Sequence, residues 1–100
     1  MRFLVEVGAA IDQGNNNGST PLWLAAQDGH LDIVRFLVEI GAAIDQGNNN
    51  GVTPLWLAAQ NGHLDIVRFL VEAGAAIDQG NNNGVTPLLI AAHNGHLDIV

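Results

Sequence analysis

The chain repeats itself every 33 residues, almost letter for letter. Residues 20–52 read TPLWLAAQDGHLDIVRFLVEIGAAIDQGNNNGV and residues 53–85 read TPLWLAAQNGHLDIVRFLVEAGAAIDQGNNNGV. Only Asp28 against Asn61 and Ile40 against Ala73 distinguish them. Residues 1–19 align with 34–52, and residues 86–100 with 53–67. One domain over 1–100 is therefore expected: a partial repeat 1–19, repeats 20–52 and 53–85, and a partial repeat 86–100. A fixed period of this length specifies a solenoid, in which each unit buries its apolar face on its neighbours. It also argues against an enzyme. An active site needs unlike groups converging on one point, whereas a solenoid sets equivalent side chains out in rows.

The formal net charge of -7 comes from three arginines and ten acidic residues, with no lysine. Nucleic acids and anionic membranes call for basic patches, so neither is expected as a partner. The absence of cysteine excludes disulfides, thiolate catalysis and cysteine-ligated zinc. No apolar run approaches the ~20 residues of a membrane span. Met1-Arg2 followed by Phe3-Leu4-Val5 has the outline of a signal peptide, but the same stretch recurs internally from Arg35 and Arg68, which the repeat explains better. An intracellular, cytoplasmic location is expected.

Within one repeat, Thr53-Pro54 reads as a helix start. Threonine accepts a bond from an N–H of the first turn, and proline suits the first helical position, where its missing N–H costs nothing. Leu55 to Asn61 supplies about two turns, and Gly62 can take the left-handed conformation that ends a helix. His63 leads into a second helix over Leu64–Ala73. Its apolar Leu64, Ile66, Val67, Leu70 and Val71 recur at helical spacing. Asp65 suits the helix dipole of the first turn. Asp65 and Arg68, and Arg68 and Glu72, are spaced to pair on the solvent side. Gly74 ends this helix. The segment from Ala75 to Val85 turns at Asn83-Gly84, a pair that favours hairpin turns. A disordered linker is the alternative for this Asn-rich stretch, but its fixed phase favours order.

Helix, Gly-His, helix, Gly-Ala and an Asn-Gly loop in a 33-residue period resemble the ankyrin repeat. The resemblance rests on Thr53-Pro54-Leu55, Ala58-Ala59, Gly62-His63, Ile66-Val67, Leu70 and Gly74-Ala75, and extends over the whole chain. It implies an all-α solenoid of stacked antiparallel helix pairs joined by hairpin-like loops. It further implies a role in binding other proteins through a concave surface made by loop tips and first helices. There are two departures. Trp23, Trp56 and Leu89 stand where the family usually has a histidine that bonds to the threonine and to a neighbouring repeat. Asn15, Asn48 and Asn81 stand where it more often has aspartate.

Trp23 and Trp56 admit two readings: packing between first helices, which is favoured, or amphipathic anchors for a partner. The differences between copies gather on the first helix. There Asp28 faces Asn61, and Leu89, Ile90 and His93 replace Trp56, Leu57 and Gln60. Either that helix lines a binding groove, or the copies have drifted neutrally. The candidate partner surface is Trp23, Gln27, Asp28, Trp56, Gln60, Asn61, Leu89, His93 and Asn94, with the tips Asn49, Asn50, Asn82 and Asn83.

No cofactor, metal or catalytic residue is expected. Helices about 8–10 Å apart hold His30, His63 and His96 too far from one another to share a metal with bonds near 2 Å. The loop from Asp78 has Gly80, Asn83 and Leu89 where a calcium loop needs Asp or Asn, Gly and Glu. Asn17-Gly18-Ser19 is a glycosylation sequon expected to stay bare without an export signal. The expected function is a protein–protein interaction module. The alternative is a purely structural segment of a long repeat array or a consensus-style array with no dedicated partner, and near-identical copies favour it. Neither end looks like a polar cap, so the chain is expected to be part of a longer array, and its ends to fray or to associate weakly head to tail.

Overall fold

Thr20, Thr53 and Thr86 each begin a helix in the same way. Each has an extended backbone, and its hydroxyl oxygen accepts the N–H of residue 23, 56 or 89 at 3.2 Å, with proline next in sequence. The computed structural model describes residues 2–100. Met1, with which the first partial copy opens, lies outside the described residues. The elements are α1 (Phe3–Glu6), α2 (Pro21–Asp28), α3 (Leu31–Glu39), α4 (Pro54–Asn61), α5 (Leu64–Glu72) and α6 (Pro87–His93). Among the described residues there is no strand. Gly29 and Gly62 close α2 and α4 at φ of 79° and 77°, a region only glycine enters without strain. The second helix ends at Glu72 rather than at the expected Ala73, which serves as its cap.

Two residues separate the first and second helix of each pair, so the helices turn back on one another (α2 on α3, α4 on α5). First helices stack in the order α2, α4, α6, while α3 and α5 touch more lightly. The result is an elongated body of 41 × 25 × 20 Å. Ala26, Ala58 and Ala91 are buried at the seams, where small side chains let helices approach. One core cluster runs along the stack through Leu22, Val34, Leu37, Leu55, Ile66 and Leu70. A second, under the loops, contains Trp23, Val52, Trp56 and Leu57.

Arg2 and Arg35, at equivalent positions of successive copies, each lie over an aromatic ring. The Arg2 guanidinium lies 5.0 Å from the centre of the Phe36 ring, and that of Arg35 lies 5.3 Å from Phe69. Each therefore reaches across to the next repeat over an aromatic face. Asp32 and Asp65 accept the N–H of Ile33 and Ile66, at 2.9 and 2.8 Å. These bonds stay within the helix start.

Candidate functional site

The loops are built by their first asparagine. Asn48 Oδ1 accepts the N–H of Asn50 at 3.0 Å and of Val52 at 3.1 Å, while the Gly51 N–H closes the turn on the Asn48 carbonyl at 2.9 Å. Asn15 and Asn81 do the same in their loops. The expected hairpin-like turn is thus held by the asparagines that depart from the family's aspartate; an amide oxygen accepts as a carboxylate oxygen would.

Successive loops are then tied edge to edge. The Asn49 N–H donates to the Asn17 carbonyl and the Asn82 N–H to that of Asn50, both at 2.9 Å. The side-chain amides of Asn49 and Asn82 donate to the carbonyls of Asn16 and Asn49, both at 3.1 Å. Asp12 and Asp45 carboxylates accept from Ala43 and Ala76 of the following repeat at 3.0 Å. A second seam joins the ends of the first helices. The Gln27 carbonyl accepts from Asn61 Nδ2 and His63 Nε2, both at 3.1 Å. The Gln60 carbonyl accepts from Asn94 Nδ2 at 3.1 Å and His96 Nε2 at 2.9 Å. A carbonyl only accepts, so these Nε2 atoms carry the hydrogen. Asp28, at the position of Asn61 and Asn94, has no amide to donate in this way.

The tryptophans resolve toward packing. Trp23 and Trp56 are only 9% and 7% exposed, and their indole N–H groups donate to the carbonyls of Val52 at 2.8 Å and Val85 at 2.9 Å. Each indole thus ties the first helix to the loop that ends its own repeat, a different bond from the one that the usual histidine makes to a neighbouring repeat. Gln27 and Gln60 are half-buried. Asp28, Asn49, Asn50, Asn61, Asn82, Asn83, Leu89, His93 and Asn94 are exposed.

What the loops and first helix enclose is a hollow of about 570 Å³ lined by Asn15, Asn17, Ser19, Trp23, Leu24, Gln27 and Asn48 to Asn50. Leu24, 40% exposed there, escaped the sequence analysis because its copies Leu57 and Ile90 differ in exposure and only the stack reveals which is uncovered. The hollow brings Trp23, Gln27, Asn49 and Asn50 of the expected surface together. It is predominantly polar and offers amides and carbonyls but no nucleophile beside a base. Among the described residues, no three His, Asp or Glu side chains gather as a metal site, and no helix is long and apolar enough to cross a membrane.

A family model described as ankyrin repeats (3 copies) matches residues 1–81 and 40–100. No curated protein matches the chain significantly.

Proposed function

The chain belongs to the ankyrin-repeat family, whose members are generally non-enzymatic protein–protein interaction modules, and from that premise we propose that it binds another protein through the loop tips and first helices. The hollow between Asn48 to Asn50 and the Trp23, Leu24 and Gln27 stretch of α2 carries this proposal. It pairs the exposed Leu24 side chain and the edge of Trp23 with backbone and amide groups that could receive an extended partner segment. Asp28, Asn61, Leu89, His93 and Asn94 extend the surface along the stack. Net charge -7 favours a basic partner face, with association faster at low salt. The test compares binding after substitution on two faces. Leu24→Asp and Leu89→Asp are expected to abolish capture of a partner, while Arg68→Ala on the second helix leaves it intact. The reverse pattern overturns the proposal.

A structural array remains the second reading, and one observation favours it. The side-chain amides of Asn49, Asn82, Asn61 and Asn94 are engaged by neighbouring repeats. Those residues serve stacking whether or not a partner exists. Apolar surface also remains at Phe3, Leu4 and Ile33 on one side of the stack and at Leu88, Leu97 and Val100 on the other. Leu4, Ile33, Leu88 and Val100 are the copies of Leu37, Ile66, Leu55 and Val34, which are buried within the stack. A second copy stacking head to tail would cover both in an open chain rather than a closed dimer. Light scattering over a concentration series is expected to show mass rising with concentration; a constant monomer mass speaks against it.

A further inference from the structure

The three loop tips all end in the same pair: Asn17-Gly18, Asn50-Gly51 and Asn83-Gly84. We propose that these are sites of spontaneous deamidation graded by repeat stacking, with Asn83 converting first while Asn17 and Asn50 are shielded by the loop stacked on them. In the reaction the glycine backbone nitrogen attacks the asparagine Cγ. The new C–N bond closes a succinimide, and the Cγ–Nδ2 bond breaks to release ammonia. Water then opens the imide at either carbonyl, leaving aspartate or isoaspartate with no redox change. Glycine favours it because no side chain hinders the approach of its nitrogen.

Two of these sites form a matched pair. Residues 48–53 and 81–86 both read NNNGVT, so the chemical reactivity written into the local sequence is the same. The turns are the same as well. Gly51 and Gly84 sit at φ of 75° and 77°, and each donates its N–H to the first asparagine's carbonyl at 2.9 Å. Asn50 and Asn83 are both exposed. What differs is the layer above. The Asn50 carbonyl accepts the Asn82 N–H at 2.9 Å, and the Asn49 carbonyl accepts Asn82 Nδ2 at 3.1 Å. A Cβ placed on Gly51 would lie 2.5 Å from Asn82 Oδ1, whereas at Gly84 nothing comes within 4 Å. Asn17-Gly18 is covered like Asn50-Gly51: Asn49 donates to the Asn17 carbonyl at 2.9 Å, and its Oδ1 lies 2.6 Å from a Cβ on Gly18.

Ring closure requires the Asn-Gly peptide to rotate until the glycine nitrogen faces Cγ. At Asn50 that rotation carries the carbonyl away from the Asn82 N–H, so the loop edge must open first. At Asn83 only the turn's own bond has to yield. One additional hydrogen bond to release slows closure at Asn50 by roughly tenfold. Each conversion adds a negative charge to the edge proposed above as a partner surface. An isoaspartate at residue 50 would also lengthen the backbone there and move the carbonyl off Asn82, unfastening the loops.

The test is peptide mapping by mass spectrometry, with isoaspartate distinguished from aspartate, after incubating the dilute monomeric chain at mildly alkaline pH. Expected is conversion of Asn83 roughly tenfold faster than Asn50, with the two rates converging in concentrated urea. Asn82→Pro, which deletes the N–H that the Asn50 carbonyl accepts and sits at a turn position that proline favours, is expected to raise the rate at Asn50 toward that of Asn83 in the unaltered chain. Equal rates in the folded chain, a difference that survives in urea, or no acceleration at Asn50 in a folded Asn82→Pro variant would overturn the proposal. The comparison within the unaltered chain stands even if the variant fails to fold.

Discussion

At the scale of a single residue, the indole nitrogen of Trp23 shows how a departure from a family pattern is absorbed. Its N–H ends on the buried Val52 carbonyl at 2.8 Å. Phenylalanine would keep most of the ring and delete the donor, leaving the Val52 carbonyl with the Asn48 N–H alone, at 3.0 Å. Losing one such bond costs about 0.5–1.5 kcal/mol, so Trp23→Phe is expected to lower the urea midpoint correspondingly. An unchanged midpoint would show that the ring alone, and not the bond, matters. Little of this was legible in the sequence. Tryptophan at the histidine position announces a large side chain, but the choice between packing and partner contact depends on what the next repeat places above it. The same holds for His63. Its place after Gly62 reads as a lead into a helix, yet its Nε2 reaches back to the carbonyl of Gln27 in the preceding repeat.

At the scale of elements, the helix starts and stops were readable because their signals are local. The Thr-Pro pair supplies an acceptor and a fixed φ within three residues, and Gly62 supplies the left-handed exit. The spacing of Asp32, Arg35 and Glu39 allows the same ion pairs as that of Asp65, Arg68 and Glu72, but i, i+3 and i, i+4 spacing says nothing about a better site in the next repeat. Arg35 takes such a site over Phe69. Glycine 62 allows a controlled test of how caps and seams are coupled. Alanine at Gly62 or at Gly95 meets the same left-handed strain, since φ is 77° and 75°. That strain costs about 1–2 kcal/mol. Only at Gly62 would the new Cβ also lie 2.9 Å from His96 Cε1, displacing a ring that bonds to the Gln60 carbonyl at 2.9 Å. Gly62→Ala is therefore expected to destabilise the chain more than Gly95→Ala in thermal unfolding. Equal losses would mean that the His96 ring moves aside without consequence.

At the scale of the whole molecule, one apolar cluster runs from Leu22 of the first complete repeat to Leu70 and Ala75 of the second. Stability in a solenoid is the sum of repeat terms and nearest-neighbour seams. A seam as continuous as this one makes it unfavourable for a repeat to unfold while its neighbour stays folded. The two tryptophans report on adjacent repeats, so Trp23→Phe and Trp56→Phe variants each leave one fluorescent probe. Within each variant the remaining probe and the far-ultraviolet dichroism are expected to share a single urea transition, the mark of two-state unfolding. Leu70 sharpens the test, because it is fully buried, at 0% exposure, in the repeat that carries Trp56. Leu70→Ala should cost about 2–5 kcal/mol, a large part of the roughly 5–15 kcal/mol that holds a domain together. If the seam makes the stack one cooperative unit, the loss lowers the midpoint seen by Trp23 as much as that seen by Trp56. A Trp23 transition left in place while that of Trp56 moves would show that the repeats unfold separately despite their shared core.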